Sequence, residues 1–138
     1  MNSTTLSVQR YLQLTLLVGA VYDIGFGLGI LVMPHRLAGV LGLPMPADEL
    51  YLRFISVFLV GLALIYLLPA VDPDRFRPVI WVAVAVRAMG FVFMAAAVAF
   101  YHRPAVFLLL AAGDLAFAAA HTVGLLGSPG RTAATGKS

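Results

Sequence analysis

The sequence predicts an all-α protein, a four-helix antiparallel transmembrane bundle whose helices run up, down, up and down. The first observation is composition, because 62% of the 138 residues are apolar and only 11% are charged. A soluble domain carries about 25% charged residues. The second observation is that the apolar residues form four continuous runs, each near the roughly 20 residues that one helical crossing requires. Runs that are continuous rather than alternating disfavour a β-barrel.

The composition also excludes several functions. The charged fraction is too low for a soluble domain or a disordered chain. Nine Lys and Arg residues, scattered along the chain, are too few for a face that binds nucleic acid. Because the chain has no cysteine, disulfides, thiol catalysis and cysteine-ligated metal are excluded. The remaining class is a small integral membrane protein, and its first expected partner is the lipid bilayer.

Prolines mark the boundaries of the four runs in chain order. Pro34 follows the first run, Pro46 precedes the second, and Pro69 is expected to close the second. Pro73 lies in the turn before the third run, and Pro104 separates the third run from the fourth. The spans are therefore expected at about Tyr11–Met33, Leu50–Ala70, Val79–Tyr101 and Ala105–Leu126.

Residues 1–126 are predicted to form the transmembrane domain, and residues 127–138 a flexible cytoplasmic tail with the composition of a linker. The first span is interpreted as an uncleaved helix, because it is too long for a signal peptide and contains Asp23. The segment Leu37–Leu43 is too apolar for a free loop and too short to span the membrane. We expect a turn of helix in the interface there, with a lid over the mouth of the bundle as the alternative.

Basic residues near the ends of the spans predict the orientation, since they are enriched on the cytoplasmic side. Arg10, Arg75, Arg77, Arg131 and Lys137 fall on one side, while Arg36 and Arg103 fall on the other. Both termini of this multi-pass protein are therefore expected in the cytoplasm.

Each predicted span carries one ionisable residue near or within its apolar part, in order Asp23, Arg53, Arg87 and Asp114. A charge at the centre of a span costs about 2.5–3.5 kcal/mol on the insertion scale. The folded bundle is therefore expected to turn these side chains inward and to pair them. From the helical rise of about 1.5 Å per residue, Asp23 and Asp114 are placed close to the middle of the membrane.

Two pairing schemes remain open, and they differ at Arg53. If Arg53 turns inward, two Asp and two Arg neutralise one another in a clasp that specifies the fold. If Arg53 pairs instead with Glu49, four residues earlier, Asp23 and Asp114 share Arg87 alone. One carboxyl group is then left to take a proton, because burial disfavours an unpaired carboxylate, and the cluster is a chemical site.

The residues beside these charges are small, which leaves room for water or a ligand and is also usual where membrane helices pack. Gly19, Asp23 and Gly27 share one stripe of the first span, and Arg87 aligns with Gly90 on the third. If the protein is an enzyme, the candidate catalytic residues are Asp23, Asp114 and Arg87. The candidate binding residues are Arg53, Glu49, His121, Tyr22, Gly27 and Gly90.

The histidines are weaker candidates. His121 shares a stripe with Asp114, about two turns away, and is expected as a hydrogen-bonded core residue, with a proton relay as the alternative. His35 and His102 follow the ends of two spans and are expected as interface residues, so no metal site is predicted. No catalytic or nucleotide-binding motif is present, and the sequence names no cofactor.

The order of several short features resembles the DoxX-like group of small bacterial four-helix membrane proteins. They are Pro34, Leu41-Gly42-Leu43-Pro44, Glu49, Arg53, Gly61, Arg87, Gly90 and Asp114. The resemblance covers nearly the whole apolar part of the chain. It implies a protein of the bacterial cytoplasmic membrane with an accessory or redox-linked role, and a quinone as one ligand to consider.

Three functions are compatible with these features. The favoured one is a binding or accessory protein for a lipophilic small molecule or a membrane partner, with a homo-oligomer or a larger membrane complex left open. The second is a membrane-embedded enzyme, of isomerase, cyclase or hydrolase type, that uses Asp23 and Asp114 for acid–base chemistry. The third is a proton-coupled transporter. A cavity beside the two carboxyl groups is expected for a site and not for a packed clasp.

Overall fold

The structure, a computed structural model, describes residues 3–128, with side chains from residue 6 onward. It contains four long helices and one short one, which confirms the all-α prediction for this part of the chain. Their bounds are α1 Ser3–Val32, α2 Pro34–Leu41, α3 Glu49–Val71, α4 Arg77–Tyr101 and α5 Val106–Gly127. The four long helices are long and apolar enough to cross a membrane. The protein is a small multi-pass membrane protein.

The helices pack as two pairs. α1 lies against α3 and α4 against α5, contact between α1 and α5 joins the pairs, and α3 touches α4 far less. Buried Leu12, Leu16, Ile80 and Leu125 form a core at the end of the bundle near the amino terminus. Most large apolar side chains elsewhere on the long helices are exposed. That distribution suits helices whose outer faces meet lipid, and the weak α3–α4 contact leaves one side of the bundle open.

Helix bounds differ from the expected spans at two places. α1 begins at Ser3 rather than near Tyr11, because no proline or glycine interrupts the polar residues before the apolar run. α3 continues through Pro69 and ends at Val71, so the expectation that Pro69 closes this helix is wrong. A proline in the last turn removes a single hydrogen-bond donor and leaves the remaining turn helical. Of the predicted tail, residues 129–138 lie outside the described residues.

Arg77 donates hydrogen bonds to carbonyl groups at the carboxyl end of α5. Its Nη1 donates to the Ser128 carbonyl over 2.6 Å and its Nη2 to the Leu125 carbonyl over 2.8 Å. The last carbonyls of a helix have no partner within the helix, and a cation there also complements the helix dipole. Arg77 therefore joins the start of α4 to the end of α5.

α2 is the short helix expected between the first two spans, and it lies at one end of the bundle, where its residues share a cavity wall with residues of the four long helices. Pro34 and Ala38 are the buried residues of α2, and Gly42 ends the helix with a left-handed φ of 64°. Glu49 holds α2 in place, because its Oε1 lies 2.6 Å from His35 Nε2 and its Oε2 lies 3.2 Å from Arg53 Nη2.

Gly27 allows the close approach of α1 to α3. A Cβ atom at this position would lie 2.8 Å from Val60 Cγ2 and 3.2 Å from the Ser56 carbonyl oxygen. Gly27→Ala is therefore expected to destabilise the bundle by about 1–3 kcal/mol through overpacking. Gly25→Ala is the matched control, since nothing lies within 4 Å of its Cβ position. Thermal unfolding in detergent measures both, and equal midpoints would contradict the packing of these helices.

Candidate functional site: a buried charge cluster beside a cavity

Arg53 does not turn toward the buried carboxylates. Its Nη2 contacts Glu49, and its Nη1 donates to the Leu31 carbonyl at the end of α1 over 2.7 Å. The side chain is 44% exposed, in keeping with a position at the end of the bundle. Of the two pairing schemes, the structure therefore has the one in which Asp23 and Asp114 share Arg87.

The charge cluster, defined here as Asp23, Arg87 and Asp114, joins three helices. Arg87 Nη2 donates to Asp23 Oδ2 over 2.6 Å, and Arg87 Nη1 donates to Asp114 Oδ1 over 2.8 Å. Each carboxylate therefore accepts a hydrogen bond from a different nitrogen of the guanidinium. Two carboxylates and one guanidinium carry a formal charge of −1, unless one carboxyl group holds a proton.

Two aromatic rings lie against the guanidinium. Arg87 Cζ is 4.6 Å from the centre of the Phe117 ring and 5.9 Å from that of Tyr66. Both distances are within the range of cation–π attraction, which is stronger away from water. The rings therefore help to hold a charged group that is only 3% exposed. Arg87 Nε, in contrast, is buried with no hydrogen-bond partner among the described residues.

Glycines make the room that the cluster occupies. A Cβ at residue 90 would lie 2.7 Å from Asp114 Oδ2, and one at residue 19 would lie 3.3 Å from Arg87 Nη2. Any larger residue at position 90 would therefore force the Asp114 carboxylate to move. Because Gly90 has no side chain, Asp114 can lie against the backbone of α4.

A cavity of about 130 Å³ lies directly beside the cluster. All three charged residues line it, together with Gly90, and the rest of its wall is apolar or aromatic: Leu59, Leu62, Tyr66 and Val86. Its wall thus includes residues of α3 and α4, the two helices with the weakest mutual contact, and it is partly open. A cavity beside the charges, which is expected for a site and not for a packed clasp, is therefore present.

The carboxylates are not equally accessible from this cavity. The side chain of Asp114 is 21% exposed, whereas those of Asp23 and Arg87 are 8% and 3% exposed. Arg87 uses Oδ1 of Asp114, and Oδ2 lies on the side of Gly90, which lines the cavity. Asp114 is consequently the most exposed charged residue of the cluster.

The structure separates the candidate binding residues into different places. Only Gly90 lines the cavity with the charge cluster. Gly27 packs against α3, and Glu49 and Arg53 hold the end of the bundle. Tyr22 lies outside the cavity wall, with its ring 5.7 Å from that of Phe117, which itself covers Arg87. Tyr22 therefore packs against the ring that covers Arg87 and does not line the cavity.

His121 is buried, as its position on the Asp114 stripe predicts. Neither ring nitrogen forms a hydrogen bond of normal geometry with the described residues, although the Thr15 backbone is close to the ring. The expectation of a hydrogen-bonded core histidine is thus met only in its burial. His121 does not line the cavity.

Sequence reasoning missed two residues that shape the site, Tyr66 and Phe117. The available signal was Tyr66, a phenol inside the apolar run of α3. Phe117 gives no such signal, because phenylalanine is ordinary in a membrane helix.

Comparisons with protein families, curated proteins and solved structures found no match to this chain. They identify no family, so the chain is described by its own architecture: four long apolar helices around a buried cluster of one arginine and two aspartates.

Proposed function

We propose that this protein binds a neutral lipophilic molecule whose polar end is a ring that carries a hydroxyl group. The observation that carries the proposal is the cavity beside Asp23, Arg87 and Asp114. An apolar cavity of about 150 Å³ in a protein core admits benzene, so one of about 130 Å³ is suited to a single ring.

The chemistry of the wall favours a hydroxyl group. Asp114 accepts a hydrogen bond at its accessible oxygen, and a carboxyl group that holds the proton donates one. A hydroxyl group serves either state, because it is both donor and acceptor. An anion would face two carboxylates, and a cation would have to cross hydrocarbon to reach the site, at a cost of about 2.5 kcal/mol or more.

The position of the cavity favours entry from the lipid. Asp114 lies near the middle of α5, and the cavity wall includes the weakly joined pair α3 and α4. A molecule dissolved in the bilayer reaches this side without crossing water. A quinol, the reduced form of a quinone, belongs to the proposed ligand class, which agrees with what the DoxX-like resemblance implies.

Filling the mouth of the cavity tests this function. Val86 lines the cavity, and Val82, one turn earlier on α4, is exposed and does not. We expect wild type and Val82→Trp to bind ring-fluorinated para-cresol saturably in nanodiscs, as measured by fluorine NMR. Val86→Trp is expected to lose that binding with its helical content unchanged. Equal binding by the two variants, or preference for benzylamine over para-cresol, would contradict the proposal.

We also propose that both termini face the cytoplasm of a bacterial cell. Arg10, Arg75 and Arg77 lie at one end of the bundle, and Arg36 and Arg103 at the other. Because the chain has no cysteine, Arg75→Cys and Ala47→Cys place single probes in exposed connections at opposite ends. In intact cells, an impermeant maleimide should label the cysteine at 47 and not that at 75. The reverse pattern would invert the orientation.

A further inference from the structure

A second cavity, of about 220 Å³, lies at the end of the bundle covered by α2. The residues that line it are all apolar and come from every helix and from the α2–α3 connection. We refer to this space as the apolar chamber, and to the cavity beside Asp23, Arg87 and Asp114 as the ring cavity. An apolar space of this kind offers water no hydrogen-bond partner, and the atoms that line it gain contacts when hydrocarbon occupies it.

The apolar chamber is the next layer of the bundle after the ring cavity. On α1, Asp23 lines the ring cavity and Phe26 the chamber; on α4 the corresponding residues are Gly90 and Met94. On α5, which runs the opposite way to α4, Leu110 lines the chamber four residues before Asp114. Residues three or four apart lie one above another on a helix, about one turn away.

α3 shows the same order. Leu52 lines the chamber and Leu59 the ring cavity, two turns further from α2. The displacement therefore runs in one direction on all four long helices. Each cavity alone is smaller than the roughly 300–1,000 Å³ of a usual ligand pocket, and their combined volume reaches the lower end of that range.

We infer that the apolar chamber holds the hydrocarbon chain of the same molecule whose hydroxyl-bearing ring occupies the ring cavity. The ligand class is then a phenol or similar ring alcohol with an alkyl or prenyl chain, placed with its chain toward α2. This inference rests on the proposed function. The bound chain points along the bundle beneath α2, instead of leaving between α3 and α4 into the lipid.

Photolabelling locates the hydrocarbon chain of the bound ligand. The probe is para-hexylphenol with a diazirine at the end of the chain, bound to the full protein in nanodiscs, with excess para-cresol as competitor. We expect competed labels on chamber residues such as Met45, Phe107 and Leu110. Competed labels confined to Leu59, Leu62 and Val86 would overturn the inference and leave the proposed function standing. Labelling that para-cresol does not reduce would overturn the proposed function itself.

Filling the chamber supplies the matched comparison. Ala38 is buried on the chamber side of α2, and Val40, two residues later, is exposed and does not line it. Ala38→Phe is expected to lose the competed labels in the chamber while it still binds para-cresol, and Val40→Phe is expected to keep both. Leu43→Phe fills the chamber from the connection after α2. If Ala38→Phe and Leu43→Phe both lose para-cresol binding, the ring cavity and the apolar chamber are not separate binding spaces, and the inference is wrong.

Discussion

The double variant Asp23→Asn/Asp114→Asn is expected to destabilise the protein by about 3–5 kcal/mol. Arg87 is almost fully buried, and its two carboxylate partners are 2.6 Å and 2.8 Å away. The double variant leaves this guanidinium with no counter-charge in the cluster. An uncompensated buried charge is much more costly than the loss of a hydrogen bond.

Each single variant is the control, and each is expected to cost only about 1 kcal/mol, because the Asn oxygen keeps an ordinary hydrogen bond from Arg87 in place of the ion pair. One carboxylate remains to balance Arg87, and Asn still offers an oxygen to the guanidinium. The effects are therefore far from additive, as expected for residues of one network. Unfolding in mixed detergent micelles of increasing dodecyl sulfate content, followed by circular dichroism, measures all three variants. A single variant as unstable as the double one would contradict the sharing of Arg87.

Arg87→Met is expected to cost a similar amount, about 3–5 kcal/mol, because it leaves Asp23 and Asp114 without a counter-charge in the cluster. Met keeps much of the length of the side chain, so the loss is mainly electrostatic. Adding Asp23→Asn and Asp114→Asn to Arg87→Met removes every charge from the cluster and is expected to restore most of the stability. Buried ion pairs are often replaced by neutral residues at little cost. The same unfolding measurement applies, and a triple variant no more stable than Arg87→Met would show that packing, and not charge, explains the loss.

Much of the fold was predictable because membrane insertion constrains the sequence strongly. An apolar run of about 20 residues has few alternatives to a helical crossing, and short connections require antiparallel neighbours. The bounds at Ser3 and Val71 were not predictable in the same way. A helix can continue beyond its apolar part, and a proline in its last turn does not stop it.

The pairing of the charges was narrowed by the sequence to two schemes and decided only by geometry. The spacing of Glu49 and Arg53 allowed an ion pair, but the second partner of Arg53, the Leu31 carbonyl, depends on where α1 ends beside α3. Sequence spacing within a helix gives neighbours on that helix. It gives no information about carbonyl groups on another.

The two cavities were beyond sequence reasoning for a related reason. Their volumes depend on how far α3 stands from α4 and on how α2 covers the end of the bundle. Both are properties of packing among several helices. The residues that line the apolar chamber, such as Phe26 and Leu110, are indistinguishable by type from those that face the lipid. Gly90 was singled out as a small residue beside a charge, and its closeness to Asp114 gives that choice a physical reason.

A hydroxyl-bearing ring bound in the ring cavity is expected to contact Asp114. Carbon NMR of the protein in bilayers, with the side-chain carboxyl carbons of aspartate labelled, tests it directly, and Asp23→Asn and Asp114→Asn assign the two resonances. We predict that para-cresol shifts the Asp114 resonance saturably, and that of Asp23, which is less accessible, by a smaller amount. Asp48 and Asp72, at the ends of α3, are internal controls that should not move. An Asp114 resonance that stays unchanged while para-cresol saturates the bilayer would contradict this contact.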